Sequence, residues 1–353
     1  MNAAATMPPD PLADHPFLRA CRREPTPYTP VWLMRQAGRY LPEYRRVRER
    51  YSFLELCRDS DAAASVTVET VRRLGVDAAI IFADILLPLV PMGVGLTYEK
   101  GDGPRIERTV RTMDDVERLH PVTVEDSLGF VADTMRKVCK ELANRTPTIG
   151  FAGAPFTVAS YAIEGGGSRN YVATKSLMYR DPKTWHRFMD LVASTTAAYL
   201  NMQIEAGAHA VQLFDSWVGA LSPRDYREYV LPHSKRVIDA ISPGVPVIHF
   251  GTMTGALLTD MREAGGSVIG LDWRVDLDEA WNRLGDGVAV QGNLDPVLLF
   301  ATHAEVRAGV REILQRAGGR PGHIFNLGHG VLPETPVDNV LALIDEVHEC
   351  SAR

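Results

Sequence analysis

Eight short apolar runs, at residues 31–34, 78–83, 148–153, 211–214, 245–250, 268–271, 288–291 and 324–327, are mostly separated by amphipathic stretches such as 181–206, 223–241 and 336–350. No other feature constrains the fold as strongly, because βαβ alternation sets consecutive strands parallel in one sheet and covers that sheet with helices. Eight such units predict closure into a (β/α)8 TIM barrel, an α/β fold with one catalytic domain over 28–353. An open doubly wound sheet is the alternative left by strand number alone. Residues 1–27 mix Ala, Pro and acidic groups without a continuous apolar stretch, so they are expected as a flexible N-terminal arm rather than a signal peptide. Two segments exceed a minimal unit. There is room for a β-hairpin near 94–111, turning at Gly101-Asp102-Gly103, and Gly165-Gly166-Gly167 falls in a long loop after the third strand. Both are candidate covers for a pocket, and plain surface excursions fit them as well.

In a barrel of this kind the site is built from residues that follow the strands. Those residues are polar here: Arg35 to Arg39 after the first run, then Asp84, Asp215-Ser216, His249, Asp272, Asn293 and His329. The net charge of -6 excludes an obvious nucleic-acid partner, so binding an anion requires locally gathered positive charge. Residues 35–50 supply it, with arginines at 35, 39, 45, 46, 48 and 50 against Glu43 and Glu49 alone. A guanidinium fork holds a carboxylate through two parallel bonds and fixes its orientation. Arg35 and Arg39, at the tip of a strand, are the candidates for ligand binding, whereas a solvated helix face accounts equally well for Arg45, Arg46 and Arg50. Asp84 follows a wholly apolar run. It is either the structural partner of an arginine or an anion awaiting positive charge on a ligand.

Several chemistries lack their residues. Neither a dinucleotide nor a phosphate-loop fingerprint occurs, and none of the six lysines ends a strand, so a Schiff-base mechanism has no amine. His249 is followed two residues later by Gly251 rather than by cysteine, and no H-x-H or H-E-x-x-H pair supplies metal ligands. Neither a cofactor nor a metal is expected. Cys21, Cys57, Cys139 and Cys350 form no CxxC pair, which fits reduced thiols and a cytoplasmic location. No segment reaches the roughly 18 apolar residues of a membrane span, so no membrane partner is expected.

Six motifs resemble those of the uroporphyrinogen decarboxylase family: PVWLMRQAGRYLPEY at 30–44, FADI at 82–85, GFAGAPFT at 150–157, FDS at 214–216, GNLDP at 292–296 and NLGHG at 326–330. The resemblance runs from about Pro30 to the last helix. It implies a barrel, usually a homodimer, that removes CO2 from the four acetate arms of uroporphyrinogen III to give coproporphyrinogen III without a cofactor. It also implies site residues. Arg35, Gln36, Ala37, Gly38 and Arg39, with Arg48, would hold carboxylate arms; Asp84 would sit inside the folded tetrapyrrole; and Tyr161, Ser216 and His329 would bond its periphery. Phe151 and Phe214 would pack on pyrrole faces or simply fill the core. A corrinoid-linked methyltransferase on the same barrel is the rival, and it needs the cysteine that Gly251 replaces.

Overall fold

In the computed structural model, which describes residues 12–99, 103–143 and 145–353, seven parallel strands lie side by side in chain order. They are β1 (Ala79–Ile80), β4 (Thr148–Gly153), β5 (Ala210–Asp215), β6 (Val247–Gly251), β7 (Val268–Gly270), β8 (Ala289–Gln291) and β9 (His323–Ile324). The eighth stave is the segment around Val31, which forms a single parallel bridge to Phe325 instead of the expected strand over 31–34. The ring still closes. Trp32 N–H donates to the Phe325 carbonyl, Phe325 N–H to that of Pro30, and on the other edge Asp77 N–H reaches the Val31 carbonyl at 2.8 Å. Asp77 also accepts from Val31 N–H, the Tyr28 hydroxyl and His348 of the last helix, Val337–Ser351. One carboxylate thus ties the closing segment to both chain ends.

Every residue of β4 and β6 is buried, as expected when helices cover one face of a strand and the barrel interior the other. The interior is packed but not wholly apolar: Trp32 Nε1 donates to Gln291, whose amide donates to Gln212 at 3.1 Å, so staves that are not neighbours are bonded across the core. The outer helices begin where the sequence supplies caps. Ser60–Leu74, for example, starts on Asp59, whose side chain accepts from the amides of Asp61 and Ala62, and it ends at Gly75 with φ 71.

Three expectations are modified. The arm proposed over 1–27 is packed from Leu12 onward, where the helix Pro16–Cys21 buries Phe17, Leu18, Ala20 and Cys21; residues 1–11 lie outside the described residues. The hairpin exists as β2 (Leu96–Glu99) paired antiparallel with β3 (Gly103–Ile106), although its turn at 100–102 is outside the described residues. The loop after β4 is not plain loop, because the helix Pro155–Glu164 intervenes and Gly165, at φ 90, caps it. Hairpin and cap meet: Ile106 N–H donates to the Gly165 carbonyl at 2.9 Å. Among the described residues no helix is long and apolar enough to cross a membrane.

Candidate active site

Asp84 follows β1 and keeps a partly exposed edge, with protein packed closely around the rest of its side chain. Its Oδ1 accepts two bonds, from the Tyr98 hydroxyl at 2.7 Å and from Leu86 N–H at 2.8 Å. Oδ2 has no partner among the described residues. Burial pushes the Asp84 carboxyl above the ordinary aspartate range, while Tyr98, the Leu86 amide and the charge on Arg35 pull against that shift. Among the described residues no cation is bonded to it, which leaves the group able to face one. Tyr98 comes from the hairpin strand β2 and is seated by Phe53, whose ring lies 4.8 Å away and also packs on Phe82.

Arg35 turns the chain out of the closing segment in the left-handed region, at φ 60, where a branched or long side chain is uncommon. Its guanidinium stem lies over Gly330; a Cβ there would come within 2.6 Å of Arg35 Cγ. Asn326 joins the two loops, its Oδ1 accepting from Met34 N–H and from Leu327 N–H. Arg35 and Arg39 are exposed, and neither guanidinium has an ion pair or hydrogen bond among the described residues. The amides of Ala37, Gly38 and Arg39 likewise have no partner there. Gln36 is different: it is 1% exposed, accepts from Leu33 N–H and donates to the Ala78 carbonyl, so its side chain braces the barrel closure. Arg45 braces the same loop through the carbonyls of Arg39 and Tyr40. Arg48 donates to the Tyr51 carbonyl and sits 5.5 Å from the centre of the Phe53 ring, behind Tyr98.

The facing wall is aromatic. Tyr161 stacks on Trp217 with ring centroids 3.7 Å apart, and burial beside Asp84 raises the Tyr161 phenol above its usual range, with Arg35 opposing. Ser216 is half-buried at the end of β5. Its neighbour Asp215 is fully buried and accepts from Thr157 Oγ1, which in turn accepts from Trp217 N–H, so the FDS and GAPFT motifs together fix the Ser216-Trp217 turn. Phe151, Phe214 and Phe250 form an edge-to-face row beneath. His329 is half-buried, and desolvation together with the charges of Arg35 and Arg274 lowers its imidazole to about 4. It is neutral near pH 7, able to donate one hydrogen bond and accept another.

Not every polar residue after a strand faces this mouth. His249 lies inside β6, fully buried and without a hydrogen-bond partner among the described residues, because the strand continues to Gly251. Asn293 and Asp272 hold the turn after β7. Reading strand ends missed Tyr98, whose only sequence signal was its place in the hairpin. Among the described residues no three His, Cys, Asp or Glu side chains gather as a metal-ligand set.

The family model "Uroporphyrinogen decarboxylase (URO-D)" matches residues 12–350. This chain belongs to the uroporphyrinogen decarboxylase family. It is 57% identical over 337 residues to the uroporphyrinogen decarboxylase of Carboxydothermus hydrogenoformans, covering 95% of this chain and 96% of the relative. It is 57% identical over 333 residues to that of Sorangium cellulosum, covering 94% and 95% respectively. Among solved structures a methyltransferase from Methanosarcina mazei superposes with a TM-score of 0.81 over 95% of this chain and 97% of its own; at 17% identity that likeness shows the shared barrel alone. The TIM-barrel fold expected for the family holds here, and membership of the family makes the chain an enzyme, a carboxy-lyase.

Proposed function

We propose that this member of the family decarboxylates the four acetate arms of uroporphyrinogen III to coproporphyrinogen III, using Asp84, Arg35, Tyr161 and His329. The observation that carries the reading is Asp84, a carboxylate held by neutral donors with one oxygen unbonded among the described residues. Losing CO2 from an acetate requires somewhere for the bonding electrons to go. Protonating the adjacent pyrrole carbon makes the ring cationic; the C–CO2 bond then breaks, its electron pair flows into the ring, and CO2 leaves behind an exocyclic methylene. That carbon is protonated to a methyl group and the ring carbon gives up its added proton, so each turn replaces one CO2 by one proton. Asp84 accepts pyrrole N–H bonds and stabilises the cation electrostatically, a preorganised charge placed where charge develops.

Arg35, Arg39 and the open amides of Ala37 and Gly38 suit carboxylate arms, with Arg48 behind them. Gln36 contributes through the backbone it braces. The initial proton is assigned to water or a carboxylic acid bound at Arg35, since guanidinium itself is a poor acid. Tyr161, Ser216 and His329 bond the periphery. The rival methyl transfer needs a cysteine at 251, where even a Cβ would meet Thr254 Cγ2 at 2.6 Å. The protein is proposed to work in the cytoplasm as a homodimer, with the exposed Met253, Val297 and Phe300 as candidates for burial between subunits.

Anaerobic incubation with reduced uroporphyrinogen, followed by mass, tests the reading: four successive losses of CO2, unaffected by a chelator, are expected, and no loss would overturn it. A Gly330→Ala enzyme is expected to fold but to push Arg35 aside. Its kcat/KM falls about 10-fold, the scale of one weakened charge-assisted contact, and unchanged kinetics would remove Arg35 from its proposed position.

A further inference from the structure

We propose that Arg274 is an additional substrate-binding residue, gripping a propionate arm that does not react. The inference rests on the tetrapyrrole reading above and extends it to a residue that none of the six motifs contains.

The turn 272–275 after β7 is rigidly held. Asn293 Nδ2 donates to the carbonyls of Asp272 at 2.8 Å and Val275 at 2.7 Å, while Asp272, 1% exposed, accepts from the amides of Met253 and Arg274. The turn packs directly on the His329 loop: a Cβ at Gly328 would lie 2.9 Å from the Asp272 carbonyl carbon. Trp273 meets the His329 ring edge-on with centroids 6.4 Å apart, and the Arg274 guanidinium lies 3.7 Å from the centre of the Trp273 ring. Arg35 across Gly330, His329, Trp273 and Arg274 are therefore one continuous belt on a single side of the mouth.

A purely structural Arg274 is a poor fit to this geometry. Asp272 already has two backbone donors and takes only Nη1 of Arg274, at 2.7 Å. The side chain is 43% exposed, and no other hydrogen bond of its fork occurs among the described residues. Stacking on Trp273 and bonding to Asp272 instead hold the plane of the guanidinium, leaving donors in a fixed orientation toward the rim. Such a preorganised fork loses little entropy when it takes a carboxylate. Two free arginines, Arg35 and Arg39, are few for a ligand with eight carboxylates. Arg274 stands at the far end of this belt from Arg35, with His329 and Trp273 between them, so it meets an arm other than the one that Arg35 holds.

Arg274→Gln and Arg274→Lys are to be compared with wild type using uroporphyrinogen and the pentacarboxylate intermediate, with a melting curve for each. A group that binds a non-reacting arm equally in ground and transition states changes KM and leaves kcat alone. The Gln variant is expected to raise KM about 10-fold with kcat unchanged, by the same factor for both substrates because both keep four propionates. The Lys variant should fall between. If KM rises only for uroporphyrinogen, an acetate is being held and the propionate assignment is wrong. If KM is unchanged while kcat and the melting midpoint drop, Arg274 is a brace for Asp272. Should the Gln variant fail to fold, a wild-type KM in the Lys variant overturns the proposal. Wild-type enzyme that releases no CO2 would instead sink the reading on which this one rests.

Discussion

An Asp84→Asn enzyme is expected to lose about 1,000-fold in kcat, the upper end of what one preorganised group opposite developing charge contributes. Asparagine fills the same volume and still accepts from Tyr98 and Leu86 N–H through its carbonyl oxygen, so the loss isolates the charge. It should also melt higher than wild type at neutral pH. Burial raises the Asp84 carboxyl in the folded state above its unfolded value, so ionising it opposes folding, and that penalty fades as pH falls through the folded pKa. Removing the charge removes the penalty. A variant with near-normal kcat, or one that loses activity because it melts early, contradicts this role.

Arg35→Ala carries the second large effect, a fall of about 100-fold in kcat/KM, on the scale of one bidentate charge-assisted pair. Arg35 has no internal partner among the described residues, so its loss removes ligand contacts without leaving a buried charge unpaired. Its left-handed backbone also argues for function: alanine relieves little of that strain, so a protein of nearly unchanged stability and lower activity fits a residue kept there for its side chain. Arg35→Lys retains the charge but not the fork and is expected to recover only part of the activity. Steady-state kinetics on all three proteins, with melting curves, separates these outcomes.

The barrel was legible because staves buried on both faces leave continuous apolar runs with polar residues just beyond them. The shortness of the first stave was not, since a turn begins at Met34-Arg35 once Val31 has met Phe325. Asp84, Arg35 and Arg39 were readable as charges in places where nothing in the sequence paid for them. The side chain of Gln36 does what position alone did not show: a polar residue next to a strand end can turn inward to satisfy backbone, and its amide does so at Leu33 and Ala78. His249 was misplaced because β6 runs two residues past it, to Gly251, which keeps it in the core and off the rim. Tyr98 was invisible, because its bond to Asp84 depends on how a hairpin folds back over the mouth rather than on local pattern.

The pH dependence of kcat/KM in wild type and in Tyr98→Phe, followed from about pH 4 to 8, probes the ionised Asp84 most directly. Titrating arms of the substrate enter both profiles equally, so a difference between them belongs to the enzyme. Tyr98 stabilises the carboxylate, and its loss should move the acidic limb to higher pH while lowering the plateau about 10-fold. Superimposable limbs would mean that no anion at position 84 governs the reaction.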